Sequence, residues 1–217
     1  MFNFAPSNGS KMAADKREHI LAVAEKLFGD QGFDGTSVRD IAQHANVNLA
    51  MISYYFGSKE KLLEALLEQR ANYTILEALN KDESLTPWEK IDRVVDFYVD
   101  KIMSNLCIHN IMQHANNSRS DDIKDLITKI KLKNFEQIKK ILHDGQKKKF
   151  FRKVDLELTV GTVMGTISQT TMARHFYTVL FNIEKDNDEA YRKKMVPKLK
   201  SHLKQLLHAH LDIKNEE

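Results

Sequence analysis

Residues 36–59 read TSVRDIAQHANVNLAMISYYFGSK, and the fold follows from how this stretch is punctuated. Thr36 or Ser37 is placed to cap a short helix whose inner face carries Val38, Ile41, Ala42 and Ala45 at helical spacing. Asn46-Val47 makes a tight connection, because Asn tolerates positive φ better than most residues after Gly. Asn48 then caps a second short helix, Leu49 to Tyr55, that buries Ile52. Upstream, Ile20, Val23, Ala24, Leu27 and Phe28 form one apolar stripe of a preceding helix, closed at Gly32. Three short helices, the last two only a few residues apart, match the helix-turn-helix plan, in which the third helix is offered to DNA. Ile41, Ala42, Val47, Ile52 and Phe56 supply the small core, which leaves Asn48, Leu49, Ala50, Ser53 and Tyr54 facing outward. Apolar groups there suit thymine methyls, and the hydroxyls suit base edges or phosphates.

Working outward, Ser58 caps a fourth helix with Leu62, Leu63, Leu66 and Leu67 on one face, expected to run to about Leu79. Thr86-Pro87-Trp88-Glu89 combines a cap, an N1 proline and a capping-box acid. Further helices are expected at 87–106, 108–117, 121–144, 155–182 and 188–211, with no strand pattern between them. The chain is therefore expected to be all-α. Residues 1–11 read as a leader, 12–57 as the DNA-binding head and 58–217 as a helical effector-binding and dimerisation body. Two of the later helices suggest how copies associate. The segment from Leu156 to Thr171 is apolar nearly all round, with Gly161 and Gly165 four apart, and the last helix sets Val196, Leu199, Leu203, Leu206 and Leu207 against Lys198, Lys200 and Lys204. A homodimer built on 155–182 and 188–211 is the expectation.

Composition sets the limits. With 217 residues, of which only 8 are Gly and 3 Pro, the chain can bury a sizeable helical core. One cysteine, Cys107, excludes an intramolecular disulfide framework or a Cys-based zinc site and fits a reducing cytoplasm. No apolar run reaches the roughly 20 residues that span a bilayer. Residues 11–60 hold six Lys/Arg against seven Asp/Glu, whereas 129–153 hold ten against two. Charge alone would put DNA on the second stretch, but that run lacks stacking aromatics in a groove-sized element and reads as a solvated helix face and loop. The P-loop, GxGxxG, GxSxG and HExxH patterns are all missing. Cys107 with His109, and His208 with His210, are two apart and point away from each other on a helix. No enzyme, metal or cofactor is expected; the rival readings are a helical-bundle interaction protein without DNA binding and, behind it, a small-molecule enzyme.

The run Leu27-Phe28, Gly32, Thr36-Ser37, Ile41-Ala42, Ala45-Asn46-Val47, Tyr55-Phe56, Ser58-Lys59 and Leu62 resembles, in type and spacing, the DNA-binding domain of TetR-family transcriptional regulators. The resemblance implies that Ser37, Tyr54, Tyr55 and Lys59 clamp phosphates, that Arg39 reaches a phosphate or base, and that Leu49, Ala50 and Ser53 face bases. Asn46 stands where the family usually has Gly, and Ser53 where it often has Tyr. It further implies a dimer holding two recognition helices about one DNA turn apart on a near-palindrome, usually as a repressor, with an effector altering that spacing. For the effector, Phe97, Tyr98, Met103, Met112, His114, Met164 and Phe176 offer adaptable apolar walls with a few polar handles, so a small apolar or amphipathic molecule is expected.

Overall fold

The computed structural model describes residues 8–71, 74–184 and 187–215, and these form eleven α-helices and a closing 3-10 turn with no strand. The expected leader lies partly outside the described residues; from Asn8 onward the chain is already helical. The elements are α1 (Asn8–Gly35), α2 (Val38–His44), α3 (Leu49–Phe56), α4 (Lys59–Arg70), α5 (Thr74–Lys81), α6 (Pro87–Ser104), α7 (Leu106–Ala115), α8 (Asp121–Lys147), α9 (Leu156–Met172), α10 (Arg174–Leu180) and α11 (Asp188–Leu211). Among the described residues no helix is long and apolar enough to cross a membrane.

The chain divides into two compact units. The first comprises residues 1–72 and 107–130. Its core is built from Ile20, Leu21, Ala24 and Phe28 of α1, Ile41 of α2, Ile52 and Phe56 of α3 and the four leucines of α4. Ile108, Ile111 and Ala115 of α7, with Ile123 and Ile127 of α8, complete it. The unit that holds the head is thus larger than 12–57. The apolar faces of α7 and the start of α8 have their partners here, and Gly29 admits them closely: a Cβ at that position would lie 3.2 Å from the Cα of Cys107. Asp34 ties the end of α1 to the same insertion. Its carboxylate accepts the Arg119 amide at 2.8 Å and the Ser118 hydroxyl at 3.2 Å, and the amide bond above all holds its pKa below the usual value.

The second unit comprises residues 73–106 and 131–217. Here α6 runs antiparallel to α11, and an ion ladder fixes their register: Asp92 meets His208 at 3.0 Å, Asp96 meets Lys204 at 2.7 Å and Asp100 meets Lys200 at 2.7 Å. Such surface pairs contribute little stability individually, but they align the rows at four-residue spacing. Thr86 caps α6 with the expected capping box to Glu89. Leu199, Leu203 and Leu207 of α11 are buried in this unit's own core, so most of the apolar stripe read as a docking face closes the protomer instead.

Two expected helices are each divided in two. The helix from Lys59 stops at Arg70, and α5 begins at Thr74; no Gly or Pro marks the break, and the leucine periodicity runs across it. The helix expected over 155–182 breaks at Ala173. Thr170 and Thr171 turn their hydroxyls back to the carbonyls of Ile167 and Ser168 at 2.7 Å, and the Tyr191 hydroxyl donates to the Thr170 carbonyl at 2.6 Å. That carbonyl lies in the last turn of α9, where acceptors lack an intrahelical donor, and a side chain 21 residues away satisfies it.

Candidate nucleic-acid interface

The presentation of α3 is set by local chemistry on either side of it. Ser37 caps α2 in a reciprocal box: its hydroxyl accepts the Asp40 amide at 3.1 Å, and the Asp40 carboxylate accepts the Ser37 amide at 2.9 Å. The Ser37 hydroxyl and amide together hold the Asp40 carboxyl below its ordinary range. After α2, Asn46 takes φ 51°, and the amide of Val47 reverses onto the Ala42 carbonyl at 3.0 Å. His19 of α1 meets the Ala45 carbonyl at 3.1 Å and pins the turn to the first helix. Asn48 caps α3, its Oδ1 accepting the Ala50 amide at 2.9 Å. Gly57, at φ 81°, closes α3, and Ser58 caps α4 through the Lys61 amide. A left-handed residue here is what lets two helices meet with no residue to spare between their caps.

This frame fixes the faces of α3. Ile52 and Phe56 are buried, whereas Leu49, Ala50, Ser53 and Tyr54 are exposed, Leu49 at 42% and Tyr54 at 84%. Tyr54 packs edge-on against Tyr55, ring centroids 5.2 Å apart. Tyr55 is half-buried against the core and so divides its ring between packing and surface. Ser37, Arg39 and Asn48 are exposed. Lys59 differs from the rest. Its ammonium donates to the carbonyls of Phe33 at 2.9 Å and Thr36 at 3.0 Å and sits 4.0 Å from the centre of the Phe33 ring. It braces the corner between α1 and α2, and two of its three protons are committed there. Thr36 is buried at that corner, its hydroxyl within bonding distance of the carbonyls of Gly32 and Leu27. Of these supports, the Ser37, Asn48 and Ser58 caps and the Asn46 turn are local patterns; the His19 pin and the Lys59 brace join residues 23–26 positions apart.

The expected effector residues do not gather in one place. An apolar cavity of about 30 Å³ lies in the second unit between α6, α8, α9 and α11, and Tyr98 and Met164 line it. Val95, Leu142, Val160 and Val163, missed in the sequence because they read as plain core, line it as well. Met103 and Phe97 belong to the same core without lining the cavity. Met112 packs in the first unit, and His114 lies beside Gly32 there, because α7 covers the head's core. Phe176 is exposed on α10. No charged side chain reaches the cavity, and the Thr159 hydroxyl is taken by the Asp155 carbonyl at 2.6 Å and His210 at 3.1 Å. Among the described residues no cluster of His, Cys, Asp or Glu could hold a metal ion.

Comparison with known proteins agrees with this geometry. Residues 20–66 match the family model described as bacterial regulatory proteins, tetR family, and residues 87–196 match the tetracyclin repressor-like C-terminal domain. The chain is 30% identical over 150 residues to the HTH-type transcriptional repressor NicS of Pseudomonas putida, covering 66% of this chain and 69% of NicS. It is 47% identical over 58 residues to the probable HTH-type transcriptional regulator YttP of Bacillus subtilis, a match spanning 27% of this chain and 28% of that protein. Among solved structures it shares its fold with HlyIIR, a hemolysin II transcriptional regulator, at TM-score 0.67 and 23% identity over 88% of this chain and 98% of HlyIIR. A putative fatty acid metabolism regulator of Clostridium perfringens matches at TM-score 0.68 and 20% identity, over 88% and 96% of the two chains. A capped, outward-facing α3 in the matched amino-terminal segment, followed by a helical body in the matched carboxy-terminal one, makes this chain a member of the TetR family of DNA-binding transcriptional regulators.

Proposed function

We propose that the chain acts as a homodimeric repressor that leaves a near-palindromic operator when a small apolar or amphipathic molecule enters its body. The observation that carries this is the exposed row Leu49, Ala50, Ser53 and Tyr54, held on buried Ile52 and Phe56 by the Asn48 cap. Leu49, Ala50 and Ser53 face bases, and Arg39 reaches a phosphate or base. Ser37, Asn48, Tyr54, Tyr55 and the remaining proton of Lys59 hold phosphates. Repression is supported by NicS, a repressor by name.

The homodimer is supported by what α9 and α10 leave uncovered. Leu158, Met172, Phe176, Val179 and Leu180 are exposed, and a Cβ on Gly161 or Gly165 would meet nothing within 4 Å. Binding to adjacent half-sites then requires the two α3 helices of such a dimer to stand about 34–36 Å apart, one turn of DNA. The outer face of α11, with Lys198, Ser201, His202 and Gln205, forms the polar rim. The effector enters the Tyr98 and Met164 cavity, which must widen because 30 Å³ holds little more than a methyl group. For release to follow, the widened state must be the one with the wrong helix spacing.

Fluorescence anisotropy with DNA from upstream of the chain's own gene, paired with sedimentation of the free protein, tests this reading. A dimer that binds one duplex is expected. Gly165→Leu leaves the protomer folded and shifts the sedimentation profile to the monomer with loss of DNA binding; an unchanged dimer would remove α9 from the interface.

A further inference from the structure

We infer that α3 discriminates bases through thymine methyl groups, not through bidentate hydrogen bonds, so the positions that α3 reads in the operator half-site are defined by the placement of thymines. The inference rests on the reading of α3 as the groove-facing helix.

Strong base-edge recognition in the major groove uses Arg or Lys on guanine and Asn or Gln on adenine, each making two bonds at once. The helix Leu49–Phe56 contains no charged side chain and no carboxamide. At its start, the Oδ1 of Asn48 accepts the Ala50 amide at 2.9 Å. A bidentate adenine contact would have to share that same oxygen with the cap, whose geometry already fixes the side chain. Behind α3, the Lys59 ammonium is turned onto the carbonyls of Phe33 and Thr36. Arg39 and Gln43 are exposed on α2, not on α3, so a base that either of them reaches lies outside the set that α3 reads. The amino-terminal residues of the recognition helix approach the bases most closely. Here those are Leu49, 42% exposed, and Ala50, also exposed, both purely apolar. One turn on, Ser53 offers a single hydroxyl that can serve any base. The major-groove feature such a surface distinguishes is the C5-methyl of thymine, which cytosine, adenine and guanine lack.

The test is a methyl scan on the full-length protein. A duplex is selected from a random-sequence pool, and each thymine of one half-site is then replaced singly by deoxyuridine, which removes the methyl and nothing else. At two or more positions the affinity is expected to fall about fourfold, the value of one buried methyl-sized group. Cytosine at such a position should weaken binding, and 5-methylcytosine should restore part of the loss. Leu49→Ala, at an exposed position that leaves the fold intact, should abolish the deoxyuridine effect at one of the positions while retaining it at another. Affinity indifferent to every thymine-to-deoxyuridine change would overturn the methyl readout while leaving α3 as the reading helix. A pool that yields no duplex bound better than random DNA would instead overturn the operator-binding reading beneath it.

Discussion

Replacing Lys59 by Met separates two roles that the same ammonium can serve. Met keeps an unbranched aliphatic side chain but removes the charge over the Phe33 ring and the donors to the Phe33 and Thr36 carbonyls at 2.9 and 3.0 Å. A hydrogen bond from a charged donor contributes about 1.5–3 kcal/mol, and a cation over an aromatic face at a partly exposed site about 0.5–1 kcal/mol. Lys59 is half-exposed, so water regains part of what the two carbonyls lose. The expected net destabilisation is about 2 kcal/mol, or a fall of about 1 M in the urea midpoint of the first unit. Far-UV circular dichroism at fixed protein concentration reads that transition. Trp88, the single tryptophan, lies in the second unit, and its fluorescence reports the body separately. If the third proton also holds a phosphate, the variant's DNA affinity has a log–log salt slope shallower by about 0.9. An unchanged urea midpoint with weakened DNA binding would refute the brace and leave Lys59 as a phosphate contact alone.

Gly57→Ala is expected to cost about 1–2 kcal/mol from the positive φ alone, since the new Cβ would meet only the flexible Lys61 side chain at 3.7 Å; thermal unfolding measures it, and DNA binding should weaken as α3 tilts. Val160→Ile puts a methyl into the 30 Å³ cavity and should raise stability by up to about 0.7 kcal/mol, while a thermal-shift screen finds effector responses blunted. Acid should weaken the first unit through Glu18. Its pKa lies below the ordinary 4.5, chiefly through its hydrogen bond to Arg70, which also bonds Glu25 at 3.0 Å. A depressed carboxylate stabilises the fold above its unfolded pKa, and that contribution disappears as pH falls through the folded value. Urea midpoints recorded from pH 6 down to 3 should therefore drop below about pH 4.5, and Glu18→Gln should flatten the drop.

What could be read in advance was what the chain decides locally. The Ser37, Asn48, Ser58 and Thr86 caps, the positive φ at Gly32 and Asn46 and the buried face of α3 all depend on neighbours within a few residues. For that reason α11 runs over the expected 188–211 and α8 begins at the expected residue. What escaped depends on distant partners. The end of α9 beside Ala173 is met by Tyr191, and the inward turn of Lys59 requires carbonyls 23 and 26 residues back. Met112 and His114 look like pocket material in the sequence because nothing local says that α7 belongs to the head's core. The cavity walls Val95, Val160 and Val163 carry no mark that distinguishes them from other packed valines.

The completion of the head's core by residues 107–130 limits how this protein can be re-engineered. A chimaera cut after residue 72, intended to give this reading head a different sensor, would take Ile108, Ile111, Ile123 and Ile127 out of the head's core and leave a sticky fragment. A workable graft must carry the 107–130 insertion along with residues 12–72 and join at two seams instead of one.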